Sequence, residues 1–479
     1  NKYCNKKKSK MANDPDPHPQ NTIKFGTDGW RAVVGEDFNF KNVETATKAI
    51  AKYVFDTDGI EKPFIIGYDP RHSAKEFAHY SAVILAELGF NVMISPEVVP
   101  TPVIAYSAKL YAANALMFTA SHNPPQYLGI KFIPDYAGPA TTEITNAISE
   151  NLVLAKDLKP FAQIHGEIKE KSFKNRYFEH IEELIDFKKI ADANIQIIYD
   201  GLYSASIGYF DKLLERNGIN FEELHMEHDP DFGGGMPEPK AKFLCELIDE
   251  ISQRTNAIGL SNDGDGDRFG VINEKAEYVS PNEIIALLLR HLIKNKKMSG
   301  KLVKTVGASQ MLDIVAEKYD VDVIETPVGF KWVGKAMRDN DVIIGGEESG
   351  GLSVKGHIPE KDGILADLLV LEMLAYENRH LWELQEDLKH EAGCEFFNKR
   401  LDLELSSQEE LKNLMEKYSS LDKIGSYQVK SSDKKDGIRY FLDDRTRILI
   451  RPSGTEPLLR IYFESDSKDK IEELTAFFK

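Results

Sequence analysis

Three separate segments of the chain repeat one pattern, and this repetition is the strongest constraint on the fold. Each segment has a β-rich apolar run, a turn of small or Asp/Gly residues, apolar residues at helical spacing, and a second apolar run. The segments begin at Pro63, Ile195 and Lys301. The pattern predicts a strand, a crossover helix and a parallel strand. Because solenoid repeats would be shorter, three spaced copies predict three similar α/β domains.

The C-terminal part of the chain has a different pattern. From Leu421 it contains several short strand-like runs separated by turns, followed by a helical segment at 468–479. This pattern is typical of an α+β domain. A chain of 479 residues agrees with several domains, since a single core rarely grows past ~250–300 residues. We therefore expect an α/β chain of four domains, at residues 21–165, 166–278, 279–385 and 386–479.

Charge and composition narrow the class of protein. The formal net charge is −17, which argues against a nucleic-acid or anionic-membrane partner. The cysteines Cys4, Cys245 and Cys394 form no CxxC pair, and we interpret them as reduced thiols of a cytoplasmic protein. No apolar run approaches the ~18 residues of a membrane span. Residues 1–20 are rich in Lys, Asn, Asp and Pro and are expected to form a disordered leader.

The stretch "SNDGDGDRFG" at 261–270 contains three alternating aspartates, Asp263, Asp265 and Asp267. Together with Glu274 they occupy positions of an EF-hand loop, but position 6 requires Gly and holds Arg268. The flanks "AIGLS" and "FGVI" predict strands rather than helices. Three oxygen ligands between strands indicate a hard cation such as Mg²⁺, with an arginine suited to phosphate beside it. The alternative is a solvated acidic turn.

The stretch "TASHNPP" at 119–125 places a serine between two predicted strands, "NALMF" and "LGIKFI". A serine in a rigid strand–turn–strand is exposed and immobile, as a nucleophile should be. Ser121 is therefore a candidate nucleophile, and the adjacent His122 is a candidate assistant. An ordinary Pro-rich turn with a solvated serine is the alternative, because no GxSxG motif is present.

Two further loops carry polar groups suited to a sugar phosphate. In "GGEESGG" at 345–351, Glu347 and Ser349 offer an acceptor and a donor for hydroxyl groups. In "RPSGTEP" at 451–457, an arginine, two hydroxyls and exposed backbone N–H groups suit a phosphate dianion. A flexible acidic turn and a polar loop with a chance arginine are the alternatives. Together the four loops predict a cleft between four domains and phosphoryl transfer on a sugar phosphate.

With these motifs in order along the chain, the sequence resembles the α-D-phosphohexomutase superfamily, and phosphoglucomutases and phosphomannomutases in particular. The resemblance runs from "KFGTDGWR" at 24–31 through "TASHNPP", "DGDGDR" and "GEESGG" to "RPSGTEP" and Arg460. It is closest to the phosphoglucomutase branch. It implies a heart-shaped four-domain architecture, with three related α/β domains and a C-terminal α+β domain.

The resemblance also implies roles for individual residues. Ser121 is the phosphorylated serine, and an oxygen of its phosphoryl group completes the Mg²⁺ site of Asp263, Asp265 and Asp267. The transferring phosphoryl group is faced by Arg31, Lys131 and Arg268. The substrate is contacted by the side chains of Glu347, Ser349 and Lys361 and by the backbone at Val328 and Gly329. The non-reacting phosphate is held by Arg451, Ser453, Gly454, Thr455 and Arg460.

The implied activity interconverts hexose 1-phosphate and hexose 6-phosphate, with glucose as the preferred sugar. It proceeds through glucose 1,6-bisphosphate, which also acts as activator, and Lys131 is favoured over His122 as general acid/base. Alternatives are a phosphomannomutase or dual-specificity enzyme, a phosphopentomutase, and a phosphoglucosamine mutase, whose sugar loop generally reads "GEQSGH". A non-catalytic sugar-phosphate-binding regulator would have lost the serine, an aspartate or the lysine. The expected partner is the sugar phosphate alone, with a monomer expected and a dimer as the alternative.

Overall fold

The structure is a computed structural model that describes residues 23–26, 29–453 and 457–479. The expected leader at 1–20, and Gly454 and Thr455 of the predicted phosphate loop, lie outside the described residues. In the part that is described, four large sheets follow one another along the chain, with a small two-stranded sheet beside the last.

The first sheet has six strands in the order β1-β5-β4-β2-β3-β6. Strands β2 and β4 are buried along their whole length, as expected for central strands covered on both faces. The strands are β1 (Trp30–Val33), β2 (Phe64–Tyr68), β3 (Val92–Ile94), β4 (Asn114–Phe118), β5 (Tyr127–Ile133) and β6 (Ile168–Glu170). The helices are α1 (Phe40–Asp58), α2 (Ala74–Leu88), α3 (Thr101–Leu110) and α4 (Thr142–Asn151).

The second sheet has five strands in the order β11-β10-β9-β7-β8, and β9 and β10 are the two strands that flank the aspartate loop. The strands are β7 (Gln196–Asp200), β8 (Glu222–Leu224), β9 (Ala257–Asn262), β10 (Phe269–Ile272) and β11 (Tyr278–Val279). The helices are α5 (Lys174–Leu184), α6 (Phe187–Ala193), α7 (Phe210–Arg216) and α8 (Cys245–Ser252).

The third sheet has the order β13-β12-β14-β15. Its strands are β12 (Lys301–Thr305), β13 (Val323–Thr326), β14 (Val342–Glu347) and β15 (Gly351–Val354). The helices are α9 (Pro281–Lys294), α10 (Met311–Lys318), α11 (Phe330–Asp339), α12 (Gly363–Glu377) and α13 (Leu381–Ala392). Asp362 caps the N-terminus of α12 by accepting a hydrogen bond from the Leu365 N–H at 2.9 Å.

The fourth large sheet is antiparallel, in the order β16-β22-β21-β20-β19. Its strands are β16 (Phe397–Glu404), β19 (Ser431–Asp433), β20 (Ile438–Phe441), β21 (Arg447–Pro452) and β22 (Leu458–Ser465), and the small sheet pairs β17 (Lys423–Ile424) with β18 (Tyr427–Gln428). The helices are α14 (Gln408–Lys417) and α15 (Lys468–Phe478). The predicted α+β pattern and closing helix are confirmed.

The three predicted strand–helix–strand units are also confirmed. Strands β2 and β3 are parallel and joined through α2, β7 and β8 through α7, and β12 and β13 through α10. Strands β9 and β10 pair antiparallel, so the aspartate loop lies between strands, as predicted.

The apolar core differs between the first three sheets and the fourth. One continuous cluster of buried residues includes side chains from the first three sheets, and α12 is buried almost along its whole length within it. The fourth sheet has a cluster of its own, which includes Ile450, Ile461 and Phe463. It is joined to the third sheet by ionic contacts, such as Arg439 with Glu325 at 2.7 and 2.8 Å. The fourth domain therefore has its own core and a polar junction, as a movable domain requires.

Among the residues described, no helix is both long enough and apolar enough to cross a membrane.

Candidate active site

The serine loop between β4 and β5 is held by a buried arginine. Arg71 donates hydrogen bonds of 2.7–3.0 Å to the backbone carbonyls of the loop, and its Nε lies 3.1 Å from Asp69 Oδ2. The four carbonyls belong to Ser121, Asn123, Pro124 and Tyr127. Ser121 has a φ of +51°, a left-handed conformation that is uncommon for a non-glycine residue. The arginine stabilises this conformation because it binds the carbonyls around the strained residue.

The serine side chain faces the aspartate loop. Thr119 Oγ1 donates to Asp69 Oδ2 at 2.6 Å and accepts from the Ser121 N–H at 2.9 Å, which fixes the start of the turn. Ser121 Oγ donates to Asp263 Oδ2 at 2.8 Å, and His122 Nδ1 lies 3.4 Å from the same hydroxyl oxygen. Ser121 is only 3% exposed. The predicted nucleophile is therefore rigidly held, but it is buried rather than solvent-exposed.

The three aspartates of the loop between β9 and β10 lie together. One carboxylate oxygen from each of Asp263, Asp265 and Asp267 lies within 4.8 Å of the others, and all three side chains are buried. The loop also approaches the serine loop closely, since a Cβ on Gly264 would lie 2.5 Å from the Ser121 carbonyl oxygen. A glycine is needed at this position because any side chain would collide with that backbone.

The electrostatics of this cluster favour a cation. Burial, and then repulsion by Asp265 and Asp267, raise the pKa of Asp263 well above its usual range. Burial and the charge of Asp267 raise the pKa of Asp265 as well. Asp265 Oδ1 is buried without a hydrogen-bond partner, while Asp265 Oδ2 accepts from Thr101 Oγ1 at 2.5 Å. A set of three carboxylates that includes a buried oxygen without a hydrogen-bond partner fits a hard divalent cation such as Mg²⁺.

Two lysines lie next to Asp267 of the cluster. Lys131 Nζ, on β5, lies 3.0 Å from Glu360 Oε2 and 3.5 Å from Asp267 Oδ2, and Lys361 Nζ lies 3.2 Å from the same Asp267 oxygen. Burial and Lys361 act to lower the pKa of Lys131, but Glu360, Asp267 and Asp265 outweigh them, and the pKa is raised. Lys131 is therefore held as an ammonium ion next to the carboxylates.

A cleft of about 970 Å³ connects loops from all four sheets. Ten of the predicted residues line it: Arg31, His122, Arg268, Val328, Gly329, Glu347, Ser349, Arg451, Ser453 and Arg460. The remaining described ones, Ser121, the three aspartates, Lys131 and Lys361, form the buried cluster beside it. Arg268 and His122 line the cleft and are chain neighbours of Asp267 and Ser121, so the cleft and the buried cluster form one site.

Glu347 and Ser349 of the predicted sugar loop line the cleft and contact each other. Glu347 is 6% exposed and accepts a hydrogen bond from Ser349 Oγ at 2.6 Å. Burial raises the pKa of Glu347, although Lys361 and Arg268 oppose the shift. The pair offers carboxylate and hydroxyl groups to a ligand in the cleft, as the sequence predicts for sugar hydroxyls.

The predicted phosphate loop lies at the end of the β21–β22 hairpin. Arg451 and Arg460 are paired across the two strands, and the Ser453 N–H donates to the Leu458 carbonyl at 2.8 Å. Arg451 Nε donates to Asp436 Oδ2 at 2.7 Å. Two arginines and a serine at one end of a hairpin form a cationic wall of the cleft.

Sequence reasoning missed several residues that build the site. Arg71, Thr101 and Glu360 are buried and contact the serine loop, Asp265 and Lys131 respectively. Arg71 follows the C-terminal end of β2. Because ligand-binding loops of parallel sheets lie at the C-terminal ends of the strands, this position could have indicated that Arg71 belongs to the site. Val328 was expected to offer a backbone contact to substrate, and in the structure its N–H donates to Asp436 at 2.9 Å.

Models of one protein family match four consecutive parts of the chain. The alpha/beta/alpha domains I, II and III of phosphoglucomutase/phosphomannomutase match residues 22–157, 175–276 and 280–391, and the C-terminal domain matches residues 403–479. The chain belongs to the phosphoglucomutase/phosphomannomutase family. The four-domain phosphohexomutase architecture expected from the motifs is confirmed.

Members of this family with different names are similar to the chain. Phosphoglucosamine mutase of Methanococcus vannielii is 30% identical over 419 residues, which cover 86% of this chain and 90% of that protein. Phosphoglucomutase of Komagataeibacter xylinus is 27% identical over 497 residues, which cover 94% of this chain and 89% of that protein. The solved structure of a phosphomannomutase-type protein of Thermus thermophilus matches with a TM-score of 0.84 at 29% identity, covering 95% and 97% of the two chains. These names refer to three different sugars.

The charge of the aspartate cluster predicts how metal affects stability. Because burial raises the pKa of Asp263 and Asp265, their ionised forms destabilise the folded state, and this cost grows as the pH rises through the raised pKa values. In EDTA at neutral pH, Asp265→Asn should therefore unfold at a higher temperature than the unsubstituted chain, by about 1–2 °C per kcal/mol of relief for a chain of this size. Mg²⁺ should raise the unfolding temperature of the unsubstituted chain but not that of the variant.

Differential scanning fluorimetry with a Mg²⁺ titration measures both effects. Asp249→Asn makes the same change from aspartate to asparagine on α8, outside the cluster, and is the matched control. It should respond to Mg²⁺ like the unsubstituted chain. An unsubstituted chain that ignores Mg²⁺, or an Asp265→Asn variant that responds equally, would contradict the metal assignment.

Proposed function

We propose that this chain is a phosphohexomutase that interconverts hexose 1-phosphate and hexose 6-phosphate, with glucose as the preferred sugar. The observation that carries the proposal is the hydrogen bond of 2.8 Å from Ser121 Oγ to Asp263 Oδ2, within a buried carboxylate cluster that opens beside a large cleft. A serine hydroxyl next to a candidate cation site and beside a large cleft supports phosphoryl transfer between the serine and a sugar.

In the proposed cycle, phosphorylated Ser121 donates its phosphoryl group to the free hydroxyl of a bound hexose phosphate. The bond from phosphorus to Ser121 Oγ breaks, and a bond from phosphorus to the sugar oxygen forms, which gives a hexose 1,6-bisphosphate. After the bisphosphate has turned round in the cleft, the opposite transfer returns its other phosphoryl group to Ser121. Glucose 1,6-bisphosphate would therefore also activate an unphosphorylated chain.

Charge neutralisation is the main requirement of such a transfer, because phosphoryl oxygens carry negative charge throughout. Arg268 and Arg31 on the cleft wall, and the Lys131 ammonium beside Asp267, provide positive groups around Ser121. Asp263, Asp265 and Asp267 would hold Mg²⁺, which would supply further neutralisation of the phosphoryl charge.

Protons must also move in each transfer. The sugar hydroxyl loses a proton when it attacks, and Ser121 Oγ takes one up when it is released. We assign the exchange with the sugar to Lys131, which Glu360 and Asp267 keep next to the cluster, with His122 as the alternative. As an ammonium ion, Lys131 can protonate the sugar oxygen that leaves in the second transfer. To accept the proton of an attacking sugar hydroxyl, it must first give up a proton of its own, which Ser121 Oγ takes up as it is released. The His122 ring lies 3.4 Å from Ser121 Oγ and could exchange a proton with that oxygen directly.

Recognition of the two ends of the sugar is divided between domains. We assign the hydroxyls to Glu347 and Ser349, the substrate contact near the cluster to Lys361, and the non-reacting phosphate to Arg451, Ser453, Gly454, Thr455 and Arg460. One phosphate site on a domain with its own core can hold either end of the sugar and can close over it. Closure would exclude water while the bisphosphate turns.

The sugar preference rests on the loop "GEESGG". Phosphoglucosamine mutases generally have "GEQSGH" there, so the loop argues against glucosamine, although six similar relatives carry the phosphoglucosamine mutase name. Phosphomannomutase or dual glucose/mannose activity is the nearest alternative, followed by phosphopentomutase and phosphoglucosamine mutase activity. The presence of the serine, the aspartates and the lysine argues against a non-catalytic regulator.

Removal of the serine hydroxyl tests the proposal. Ser121→Ala should lower mutase turnover by at least about a thousandfold, because no group remains to carry the phosphoryl. It should still bind glucose 6-phosphate in calorimetry, since the cleft is intact. Ser252→Ala, at the exposed end of α8, is the control and should retain full activity. Near-normal turnover by Ser121→Ala with added glucose 1,6-bisphosphate would refute the phosphoserine.

A panel of substrates tests the choice of sugar. In coupled assays, kcat/KM for glucose 1-phosphate should exceed that for mannose 1-phosphate, glucosamine 1-phosphate and ribose 1-phosphate, by about tenfold or more for the glucosamine substrate. A higher kcat/KM for any of the other three would replace glucose with that sugar while leaving the mutase reaction in place.

A further inference from the structure

Asp436 lies in the turn between β19 and β20 and makes contacts that the proposed reaction does not explain. Its Oδ2 accepts a hydrogen bond from Arg451 Nε at 2.7 Å and another from the Val328 N–H at 2.9 Å. Arg451 belongs to the phosphate loop on the fourth sheet, whereas Val328 belongs to the loop that follows β13 on the third sheet. One carboxylate oxygen therefore joins two substrate-facing loops of different domains.

Asp436 contacts Arg451 through Nε and not through the Nη1 and Nη2 edge of the guanidinium. Within the described part of the chain, the hydrogen bonding of Arg451 goes through Nε. A guanidinium is planar with its N–H groups in a fixed fork, so holding the Nε edge fixes the direction of the Nη1 and Nη2 edge. That edge can bind a phosphate with two parallel hydrogen bonds. Arg451 lines the cleft together with Ser453 and Arg460.

The turn that carries Asp436 is built to sit against Arg451. The next residue, Gly437, has a φ of +81°, which favours glycine. A Cβ at Gly437 would collide with the Ile450 carbonyl and would lie 3.1 Å from the Arg451 Cα. The glycine thus lets the turn pack directly on β21, and the side chain of Asp436 is only 20% exposed.

From this arrangement we infer that Asp436 is a positioning residue for the non-reacting phosphate. It holds the Arg451 fork toward the cleft and, through the Val328 N–H, ties the phosphate loop to the loop at 325–332. The inference rests on the proposed function in one respect, namely that Arg451 binds the phosphate of the substrate. Because Asp436 joins the two loops, it also helps to hold the fourth domain in a fixed position relative to the third when a phosphate is bound.

The sign of the effect separates positioning from simple electrostatics. Removing a negative charge beside Arg451 would, by charge alone, tighten the binding of an anion. Loss of the oriented fork would weaken it, because a mobile guanidinium must be ordered again on binding. The positioning role therefore predicts weaker binding in a variant that makes the site more positive.

The experiment compares Asp436→Ala, which removes the acceptor of both hydrogen bonds, with the unsubstituted chain in calorimetry, with inorganic phosphate and glucose 6-phosphate as probes. We expect the Kd for both to rise about tenfold and KM to rise similarly with kcat little changed, since the grip acts on ground state and transition state alike. Asp444→Ala removes a fully exposed carboxylate of the same domain and should leave both Kd values unchanged. Equal or tighter binding by Asp436→Ala would overturn the inference.

A double-mutant cycle with Arg451→Ala separates positioning from a structural role. If Asp436 acts through Arg451, adding Asp436→Ala to Arg451→Ala should change the Kd for inorganic phosphate less than twofold. If the two substitutions instead raise the Kd by independent factors that multiply in the double variant, the inference is overturned. The thermal unfolding temperatures identify any variant that fails to fold. Because inorganic phosphate contains no sugar, an Arg451-dependent effect of Asp436 would stand even if the chain turned over no hexose phosphate, in which case only the proposed function would fall.

Discussion

The mutual repulsion of three buried carboxylates is the constraint on which the rest of the site depends. Asp263, Asp265 and Asp267 lie within 4.8 Å of one another on a loop whose strands fix their spacing. Such a cluster is costly unless positive charge surrounds it. Lys131 of the first sheet and Lys361 of the loop before α12 supply positive charge. The Ser121 hydroxyl donates a hydrogen bond to Asp263 of the same cluster. Three domains thus meet where the charge must be balanced.

The division of the core explains how rigidity and movement are combined. The first three sheets share one apolar cluster, so the serine, the aspartates and the lysines are held in fixed positions relative to one another. The fourth sheet has a separate core and meets the third through Arg439 with Glu325 and through Asp436. A junction of ion pairs and hydrogen bonds can rearrange at lower cost than an apolar one, which suits a domain that must release and grip a substrate.

The sequence predicted the elements and the loops well because that information is local. Apolar β-rich runs and helical spacing predicted the three parallel units, and the strand-like flanks of the three aspartates predicted a loop between strands rather than an EF-hand. The contacts of Arg71, Glu360 and Asp436 were not predictable, because they depend on which loops of different sheets meet. The Val328 N–H illustrates the limit: the sequence indicated a backbone contact, and only the structure shows that it donates to Asp436.

The most direct test of the central claim follows the phosphoryl group itself. The chain is first loaded with unlabelled glucose 1,6-bisphosphate, mixed with glucose 1-phosphate carrying radioactive phosphorus, quenched in acid within one turnover, and digested for mass spectrometry and counting. The account predicts that label appears on the Ser121 peptide as glucose 6-phosphate is formed. Labelled glucose 6-phosphate that accumulates while the Ser121 peptide stays unlabelled would contradict it.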